Sequence, residues 1–340
     1  MSPRILIWGA GAIGGTLGAY WKRAGLDVTM VDIVPEHAHA CSTTGLAISG
    51  PVEEFRQVVP TLTPDQVKGR WPIIVLGVKA QATEPALVML EPHLAADGYV
   101  LSAQNGLNEI AISRTIGAER TMGCFVNFGA DWLRPGEILY GNRGAVVVGE
   151  IDGAIRDRTR QMHEWLRLFD PAAVLTDNIW GYLWGKLAYG AMLFATALTP
   201  DSMSANFADP ARTRAFVTLG RQVLAVAQAR GVQPIGFPEF DVDAFLPGGA
   251  DARAEAAIAA LAVYTSKTAK THSGIYRDLA VRKRKTEVDP QIGIIAKLGQ
   301  EAGIATPAIE MLVTLIHDIE DGKRSMSAET FAVLSSGCGG

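Results

Sequence analysis

The sequence predicts an α/β domain with a doubly wound parallel sheet, followed by a domain made of helices alone. Short apolar runs alternate with helical segments in the first half of the chain, which is typical of parallel sheets. From about residue 155 onward the predicted strands stop and the segments have helical character. A cluster of glycines between the first two strands is the third observation. We place the first domain at residues 1–174 and the second at residues 175–335.

The elements follow one another in a regular order. In the first domain the predicted elements are Ile5–Trp8, Ala12–Ala24, Val28–Val31, Trp71–Ala80, ALVMLEPHL, YVLSAQNGL and Gly144–Glu150. After about residue 155 the predicted helices are RDRTRQMHEWLRLF, IWGYLWGKLAYGAMLFATAL, TRAFVTLGRQVLAVAQARG, ARAEAAIAALAVYTSKTA and QIGIIAKLGQEAGIATPAIEMLVTLIHDIEDG. A break near the segment DPAAVLTD follows the first of these helices and marks the boundary between the two domains.

Gly9, Gly11 and Gly14 follow the first strand with the spacing G-x-G-x-x-G. Gly9 suits a tight turn, Gly11 lets a pyrophosphate approach the backbone, and Gly14 lets the next helix pack close to the strand. That helix begins with Ala12 and Ile13, whose backbone N–H groups are available to an anion. These five residues predict a Rossmann-type dinucleotide site. A glycine-rich packing turn is the alternative.

Asp32 ends the second predicted strand. A carboxylate there accepts hydrogen bonds from the ribose hydroxyls of NAD and repels the 2′-phosphate of NADP. No arginine follows Asp32 before Arg56, although an NADP site usually has one nearby. The sequence therefore predicts NAD rather than NADP as cofactor. The alternative role for Asp32 is a solvated strand-end acid or the cap of the next turn.

The composition excludes several classes of protein. With 340 residues, 48% hydrophobic and 19% charged, the chain is long and apolar enough for two globular domains. Its net charge of −4 gives no basic surplus for nucleic acid. The three cysteines show no metal-ligand spacing, so we expect no metal site. They also show no disulfide framework, and no signal peptide precedes the first strand, so we expect a cytoplasmic protein. Trp180–Leu198 is long and apolar, but Lys186 inside it favours a buried helix over a membrane span.

Four polar residues could take part in catalysis. Lys186 in its apolar helix could exchange a proton with a carbonyl oxygen, or its head group could reach the surface. Lys79 and Asn105 each follow a predicted strand, where α/β sheets bind ligands, although either could be an ordinary loop residue. Glu287 could pair with Lys186 or with neighbouring basic residues.

The sequence resembles the ketopantoate reductase (2-dehydropantoate 2-reductase) family. The motifs that carry this resemblance are G-x-G-x-x-G, V-K-A, Q-N-G, W-G-K-L, S-G-I-Y-R-D-L…K-T-E-V-D and G-I-A-T-P, in this order over residues 4–320. The resemblance implies a Rossmann domain, a helical domain of the 6-phosphogluconate-dehydrogenase C-terminal-like type, and an active site between them. It also implies residue roles: Lys186 matches the general acid and Glu287 an acid that orients substrate or lysine, Lys79 and Asn105 match cofactor and substrate contacts, and Ser273 matches a substrate-binding serine.

The sequence departs from this family pattern on the lysine helix. The family usually has asparagines four and eight positions after the lysine, and this chain has Gly190 and Phe194 there. This i, i+4, i+8 spacing places both with Lys186 on one helix face, so we assign them to substrate binding. The interval from Ser273 to Glu287 is slightly longer than usual. We therefore expect a substrate pocket with fewer amides, more space and an aromatic ring.

Three functions follow as hypotheses. The first choice is an NAD-preferring oxidoreductase that transfers a hydride between the cofactor and a small hydroxy or oxo acid. The alternatives are an NADPH-dependent 2-dehydropantoate 2-reductase and a non-catalytic dinucleotide-binding protein. The many apolar helices of the second domain favour shared apolar surface, so we also expect a homodimer.

Overall fold

The computed structural model describes residues 3–268 and 270–338. The chain divides into two compact units, the first ending at Ile179 and the second beginning at Trp180. This division falls a few residues after the expected limit at residue 174. The domain limits of 1–174 and 175–335 themselves stay a prediction.

The described strands lie in the first unit and form two sheets. They are β1 (Ile5–Trp8), β2 (Val28–Val31), β3 (Leu46–Ser49), β4 (Phe55–Gln57), β5 (Thr61–Leu62), β6 (Trp71–Leu76), β7 (Leu94–Ser102), β8 (Thr121–Val126), β9 (Gly129–Arg134), β10 (Glu137–Asn142), β11 (Val146–Glu150) and β12 (Val174–Leu175). Among the described residues, eight strands form the main sheet in the order β12-β11-β8-β7-β6-β1-β2-β5. Its neighbouring strands run parallel except β8 and β11, which are antiparallel. The predicted doubly wound parallel sheet is confirmed, with this one antiparallel pair as a correction.

Helices cover both faces of the main sheet. The helices of this unit are α1 (Ala12–Arg23), α2 (Pro35–Thr43), α3 (Thr83–Leu90), α4 (Glu109–Ile116) and α5 (Asp157–Phe169). Alternate residues of β1 enter two separate cores, because successive side chains of a strand point to opposite faces. Ile5 and Ile7 pack with residues of α1 and α5, whereas Leu6 and Trp8 pack with residues of α3 and α4. Strand β1 is thus buried on both faces, and the glycine turn follows it directly.

A second sheet in the first unit was missed by the sequence analysis. Its strand order is β4-β3-β10-β9, and β3 pairs with β10 in parallel although about ninety residues separate them, with Ile48 opposite Ile138. The four strands are short, and they come from two distant segments of the chain. Strand β12 was also missed, since strands were expected to stop near residue 155. Pairings of this kind have no local pattern in the sequence.

The second unit consists of helices and loops in its described part. After α6 (Ile179–Thr196) come α7 (Met203–Ala208), α8 (Pro210–Ala229), α9 (Asp251–Ser266), α10 (Gly274–Tyr276), α11 (Ile294–Ala302), α12 (Pro307–Glu320) and α13 (Ala328–Gly337). The segment predicted as one helix over residues 291–322 is in fact divided. Gly303 caps α11 with a φ of +71°, and Pro307 begins α12. Within the residues described here, no helix is both long and apolar enough to cross a membrane.

Candidate active site

The turn between β1 and α1 has the backbone geometry that the glycine spacing predicts. Gly9 has a φ of +104°, and a Cβ there would lie 2.7 Å from the backbone nitrogen of Val78. At Gly14 a Cβ would overlap the carbonyl oxygen of Gly9, so the helix can approach the strand only with glycine. At Gly11 a Cβ would meet nothing within 4 Å. Two glycines are therefore required by the protein's own packing, and the third leaves open space beside the backbone.

The first turn of α1 is free to interact with an anion. Its N-cap is Gly11, which offers no side chain to the N–H groups of the first turn, and this turn contains no acidic residue. Ala12 and Ile13 are the first two residues of the helix. Uncapped N–H groups and the positive end of the helix dipole together suit a phosphate group. The open space at Gly11 and this helix end fit a dinucleotide cofactor, as predicted for these residues.

Asp32 lies directly after β2, and two backbone N–H groups hold its carboxylate. Oδ2 accepts a hydrogen bond from Ala10 at 3.1 Å, and Oδ1 accepts one from Val34 at 3.0 Å. The side chain is only partly buried. Asp32 therefore caps the turn that follows it, which was the alternative role, and its carboxylate oxygens keep further lone pairs for ribose hydroxyls. The hydrogen bonds from Ala10 and Val34 therefore do not prevent Asp32 from binding ribose hydroxyls.

Lys79 and Asn105 lie in the loops after β6 and β7, and both are exposed. These strands pair in parallel with each other, and β6 also pairs with β1, so their carboxyl ends meet at the edge that holds the glycine turn. The contact of Gly9 with Val78 confirms that the turn and the Lys79 loop are adjacent. The structure thus brings the predicted cofactor residues of the first unit to one edge.

A buried polar network joins these two loops. The Gln104 side-chain amide donates to the Val78 carbonyl at 3.0 Å and to the Thr83 hydroxyl at 2.8 Å. The Thr83 hydroxyl donates in turn to Asn108 at 3.0 Å, and the Asn108 amide donates to the carbonyl of Asn105 at 2.7 Å. The backbones beside Lys79 and at Asn105 are therefore held by one set of side chains.

Glu109 is a buried acid that the sequence analysis did not single out. It is the first residue of α4 and its side chain is fully buried. Within the part of the chain that the structure describes, neither of its carboxylate oxygens makes a hydrogen bond of 3.5 Å or less. Burial raises the pKa of this carboxyl from 4.5 to about 7, while its own backbone N–H and the Ser102 hydroxyl act in the opposite direction. The raised pKa of this carboxyl lies near neutral pH, and Glu109 stands three residues after Gly106 of the Q-N-G motif.

In the second unit, α6 presents Lys186 on its less buried side. Tyr182, Lys186 and Gly190 are partly exposed and four residues apart, whereas the residues between them are mostly buried. At Gly190 a Cβ would meet nothing within 4 Å, as expected for a position that gains space. Phe194 differs, because it is 1% exposed and its ring lies in the core. Its contact with a substrate stays a prediction.

Ser273 and Glu287 lie just outside short helical segments of the second unit, and both are largely buried. The Ser273 hydroxyl accepts a hydrogen bond from the N–H of Tyr276 at 3.2 Å, so it is the N-cap of α10. Glu287 lies between two π-helical segments, Arg277–Val281 and Asp289–Gly293. Such segments are rare and occur often at functional sites. The catalytic roles of these two residues, and the pairing of Glu287 with Lys186, stay predictions.

The comparisons with known proteins identify the family. The profile described as Ketopantoate reductase PanE/ApbA matches residues 5–153, and the profile of its C terminal domain matches residues 178–320. The chain belongs to the ketopantoate reductase family. It is accordingly an oxidoreductase that acts on CH–OH groups and uses a nicotinamide cofactor.

Similar proteins cover nearly the whole chain. The 2-dehydropantoate 2-reductase of Mesorhizobium japonicum is 28% identical, over 92% of this chain and 96% of its own length. The solved structure of D-mandelate dehydrogenase with NADH and anilino(oxo)acetate superposes with a TM-score of 0.81 at 22% identity, over 94% of this chain and 99% of that one. The dimeric ketopantoate reductase from Staphylococcus aureus superposes with a TM-score of 0.72 at 16% identity, over 94% and 100%. The two structural matches confirm the predicted fold.

Some relevant residues left little signal in the sequence. The network residue Gln104 is the first residue of the Q-N-G motif, and Asn108 and Glu109 follow this motif after Leu107. A polar cluster before an apolar helix was therefore the available clue. Their burial and partners depend on strands from elsewhere in the chain. Across the described residues, no group of three or more His, Cys, Asp or Glu side chains is placed to hold a metal ion.

Proposed function

We propose that this family member prefers NAD and interconverts a small hydroxy acid and its oxo acid, with Lys186 as the general acid and base. The observation that carries the cofactor preference is the fixed carboxylate of Asp32 at the end of β2. A held carboxylate suits two ribose hydroxyls and repels a 2′-phosphate. Arg56, the next arginine along the chain, donates instead to the carbonyl of Gly45 at 2.8 Å. This engagement supports the preference for NAD.

The chemical roles divide between cofactor and protein. When bound, the nicotinamide supplies or accepts the hydride. Gly11 and the first turn of α1 would hold the pyrophosphate, and Asp32 the adenosine ribose. In this proposal Lys186 gives a proton to the substrate oxygen during reduction and takes it back during oxidation. Glu287 orients the lysine or the substrate, and Lys79 and Asn105 contact substrate and nicotinamide.

The pocket residues support a substrate other than 2-dehydropantoate. Gly190 supplies no hydrogen-bonding side chain, and the space beside it is open. A polar substrate group that faces a missing amide loses roughly 1–3 kcal/mol. The structure of D-mandelate dehydrogenase with NADH and anilino(oxo)acetate has the same fold, which supports both the cofactor and the substrate class proposed here.

The second candidate is an NADPH-dependent 2-dehydropantoate 2-reductase, which the names of the curated relatives favour. One screen separates the two candidates. It measures NADH and NADPH oxidation with 2-dehydropantoate and with a panel of aryl and alkyl 2-oxo acids, and the reverse reaction with the matching hydroxy acids. We expect faster turnover with NADH and with an oxo acid other than 2-dehydropantoate. Preference for NADPH and 2-dehydropantoate would contradict the proposal.

We further propose a cytoplasmic homodimer. The three cysteines are free and buried, which supports a reducing compartment. A dimeric ketopantoate reductase shares the fold, and α9 exposes Val263 and Tyr264 by 56% and 39%. Light scattering of the purified protein at micromolar concentration should give twice the chain mass of 36.2 kDa. A stable species of single-chain mass would refute the dimer.

A further inference from the structure

His37 is buried beside the glycine turn and belongs to none of the sites described above. It lies in α2 and is 0% exposed. Its Nε2 is 2.8 Å from the carbonyl oxygen of Ala10, the residue between Gly9 and Gly11. On the other side, its Nδ1 faces the second sheet. The imidazole therefore connects the predicted cofactor turn with β9 and β10.

The partners of His37 determine its tautomer. The backbone N–H of Gly136 donates to Nδ1 at 3.0 Å, and the indole N–H of Trp132 points to the same nitrogen at 3.3 Å. Because both partners are donors, Nδ1 carries a lone pair and no proton. Nε2 must then carry the proton, which it donates to the Ala10 carbonyl. In this neutral form the partners on both sides are satisfied.

Ala10 is held through both of its backbone polar groups. Its carbonyl accepts from His37, and its N–H donates to Asp32 Oδ2 and to the carbonyl of Val31, each at 3.1 Å. Both neighbours of Ala10 are glycines, which restrict the backbone less than any other residue. The position of this turn therefore depends on side chains from outside it, and His37 and Asp32 supply them.

We propose that His37 is a positioning residue for the dinucleotide cofactor. By fixing the Ala10 carbonyl, it holds the turn and the adjoining Asp32 carboxylate in the arrangement that the cofactor needs before it binds. The inference rests on the proposed function, because it assumes a dinucleotide at this turn. The competing explanation is that His37 only packs α2 against the second sheet, and that explanation predicts an effect on stability alone.

Two substitutions separate the two halves of the His37 interaction. His37→Gln places an amide nitrogen at about the reach of Nε2, so it keeps the bond to Ala10 and loses the acceptor for Gly136. His37→Asn places an oxygen at about the reach of Nδ1, so it keeps the acceptor and loses the bond to Ala10. Calorimetry gives the affinity for NADH, thermal unfolding without cofactor gives the stability, and steady-state kinetics give KM for the cofactor and kcat.

We expect His37→Asn to weaken NADH binding roughly 5–10-fold, the range for one lost hydrogen bond in the site, and to raise KM for the cofactor equally. At saturating cofactor its kcat should stay within about twofold of the parent, and His37→Gln should bind NADH within about twofold. His163→Asn is the matched control. It removes a histidine bond of the same length, 2.8 Å to the carbonyl of Ala173, far along the chain from the turn. It should lower the melting temperature and leave NADH affinity unchanged.

Equal NADH affinity in the parent and in His37→Asn, with only a lower melting temperature, would overturn the inference. If His37→Asn does not fold, His37→Gln decides, because a folded Gln variant with NADH binding weakened more than about fivefold would also overturn it. A parent protein that binds neither NADH nor NADPH would instead refute the proposed function, and the inference with it. Cofactor binding by the parent protein therefore distinguishes failure of the His37 proposal from failure of the proposed function.

Discussion

The two units place their candidate residues in different ways. In the first unit the predicted cofactor residues would act mainly through the backbone: two glycines are required by packing, the third leaves open space, and Asp32 is held by two N–H groups. In the second unit the proposed roles of Lys186, Ser273 and Glu287 depend on side chains that come from separate segments. Recognition of a cofactor through backbone N–H groups needs glycines at a fixed spacing along the chain. Catalysis by side chains needs only that residues from distant segments meet after folding.

This difference explains which unit could be interpreted from local sequence. A helix end binds phosphate with the same N–H groups in every protein, so its glycine spacing is recognisable. A lysine in an apolar helix has several possible roles until its environment is known. Substitutions in the first unit should therefore change cofactor affinity or stability, and substitutions on α6 should change turnover.

Lys186→Met should have the largest effect among the variants that test this difference between the two units. Methionine keeps an apolar stem and removes the proton carrier, so turnover should fall by roughly 10²–10⁴-fold, the usual effect of a positioned acid–base group. NADH affinity, measured by calorimetry, should stay nearly unchanged. The control is Lys297→Met, since Lys297 is exposed in α11 and should be silent. Turnover within a few-fold of the parent would assign Lys186 a structural role and make Lys79 the next candidate.

Glu109→Gln tests the buried acid of the first unit through stability. The carboxyl ionises near 4.5 when unfolded and near 7 when folded, so the folded state holds more protons between these values. Below about pH 4.5 the contribution of Glu109 to the free energy of unfolding is therefore complete, and it decreases as the pH rises through about 7. The total decrease is about 3 kcal/mol, which changes the unfolding equilibrium constant by roughly 10²-fold.

Thermal unfolding at about pH 5 and about pH 8 measures this loss. Glutamine resembles the protonated acid and does not ionise, so the difference in melting temperature between the two pH values should be several degrees smaller than in the parent. Glu84→Gln is the control, because Glu84 is exposed in α3. An unchanged pH dependence in the Glu109 variant would show that this carboxyl is ionised at neutral pH in the folded protein.

Gly11→Ala and Gly190→Ala compare the two open glycines. A Cβ at either position meets nothing within 4 Å, so both variants should fold. At Gly11 the methyl group occupies the space expected for the pyrophosphate, and NADH should bind roughly 10–50-fold more weakly. Gly190→Ala should leave NADH binding unchanged. Undiminished NADH affinity in the Gly11 variant would move the phosphate site away from this turn.

Asp32→Ala should have a smaller effect on cofactor affinity than Gly11→Ala. The loss of charge-assisted bonds to the ribose should weaken NADH about tenfold, while NADPH binding should stay level or improve, because a repulsive charge is gone. Calorimetry of both cofactors with the parent and the variant measures the ratio of affinities. Tighter binding of NADPH than NADH by the unmodified protein would remove the basis for the assignment.

The sequence could predict what depends on neighbours along the chain. Alternating apolar runs predicted the parallel sheet and the helical second unit, and the spacing of Gly9, Gly11 and Gly14 predicted the turn. The second sheet could not be predicted, because β3 and β10 pair across about ninety residues. The single long helix predicted near the end was wrong because Gly303 and Pro307 stop it, and both signals were present in the sequence.

The sequence by itself thus determined the fold class and the glycine turn, since both follow from residue type and local spacing. It made Lys186 the candidate acid and base only through the family resemblance. Only the tertiary structure decided that Glu109 is buried and that His37 joins the turn to the second sheet. Burial and hydrogen-bond partners are set by elements far apart in the chain, and they decide the protonation state of a side chain. Local sequence patterns therefore do not predict burial or hydrogen-bond partners.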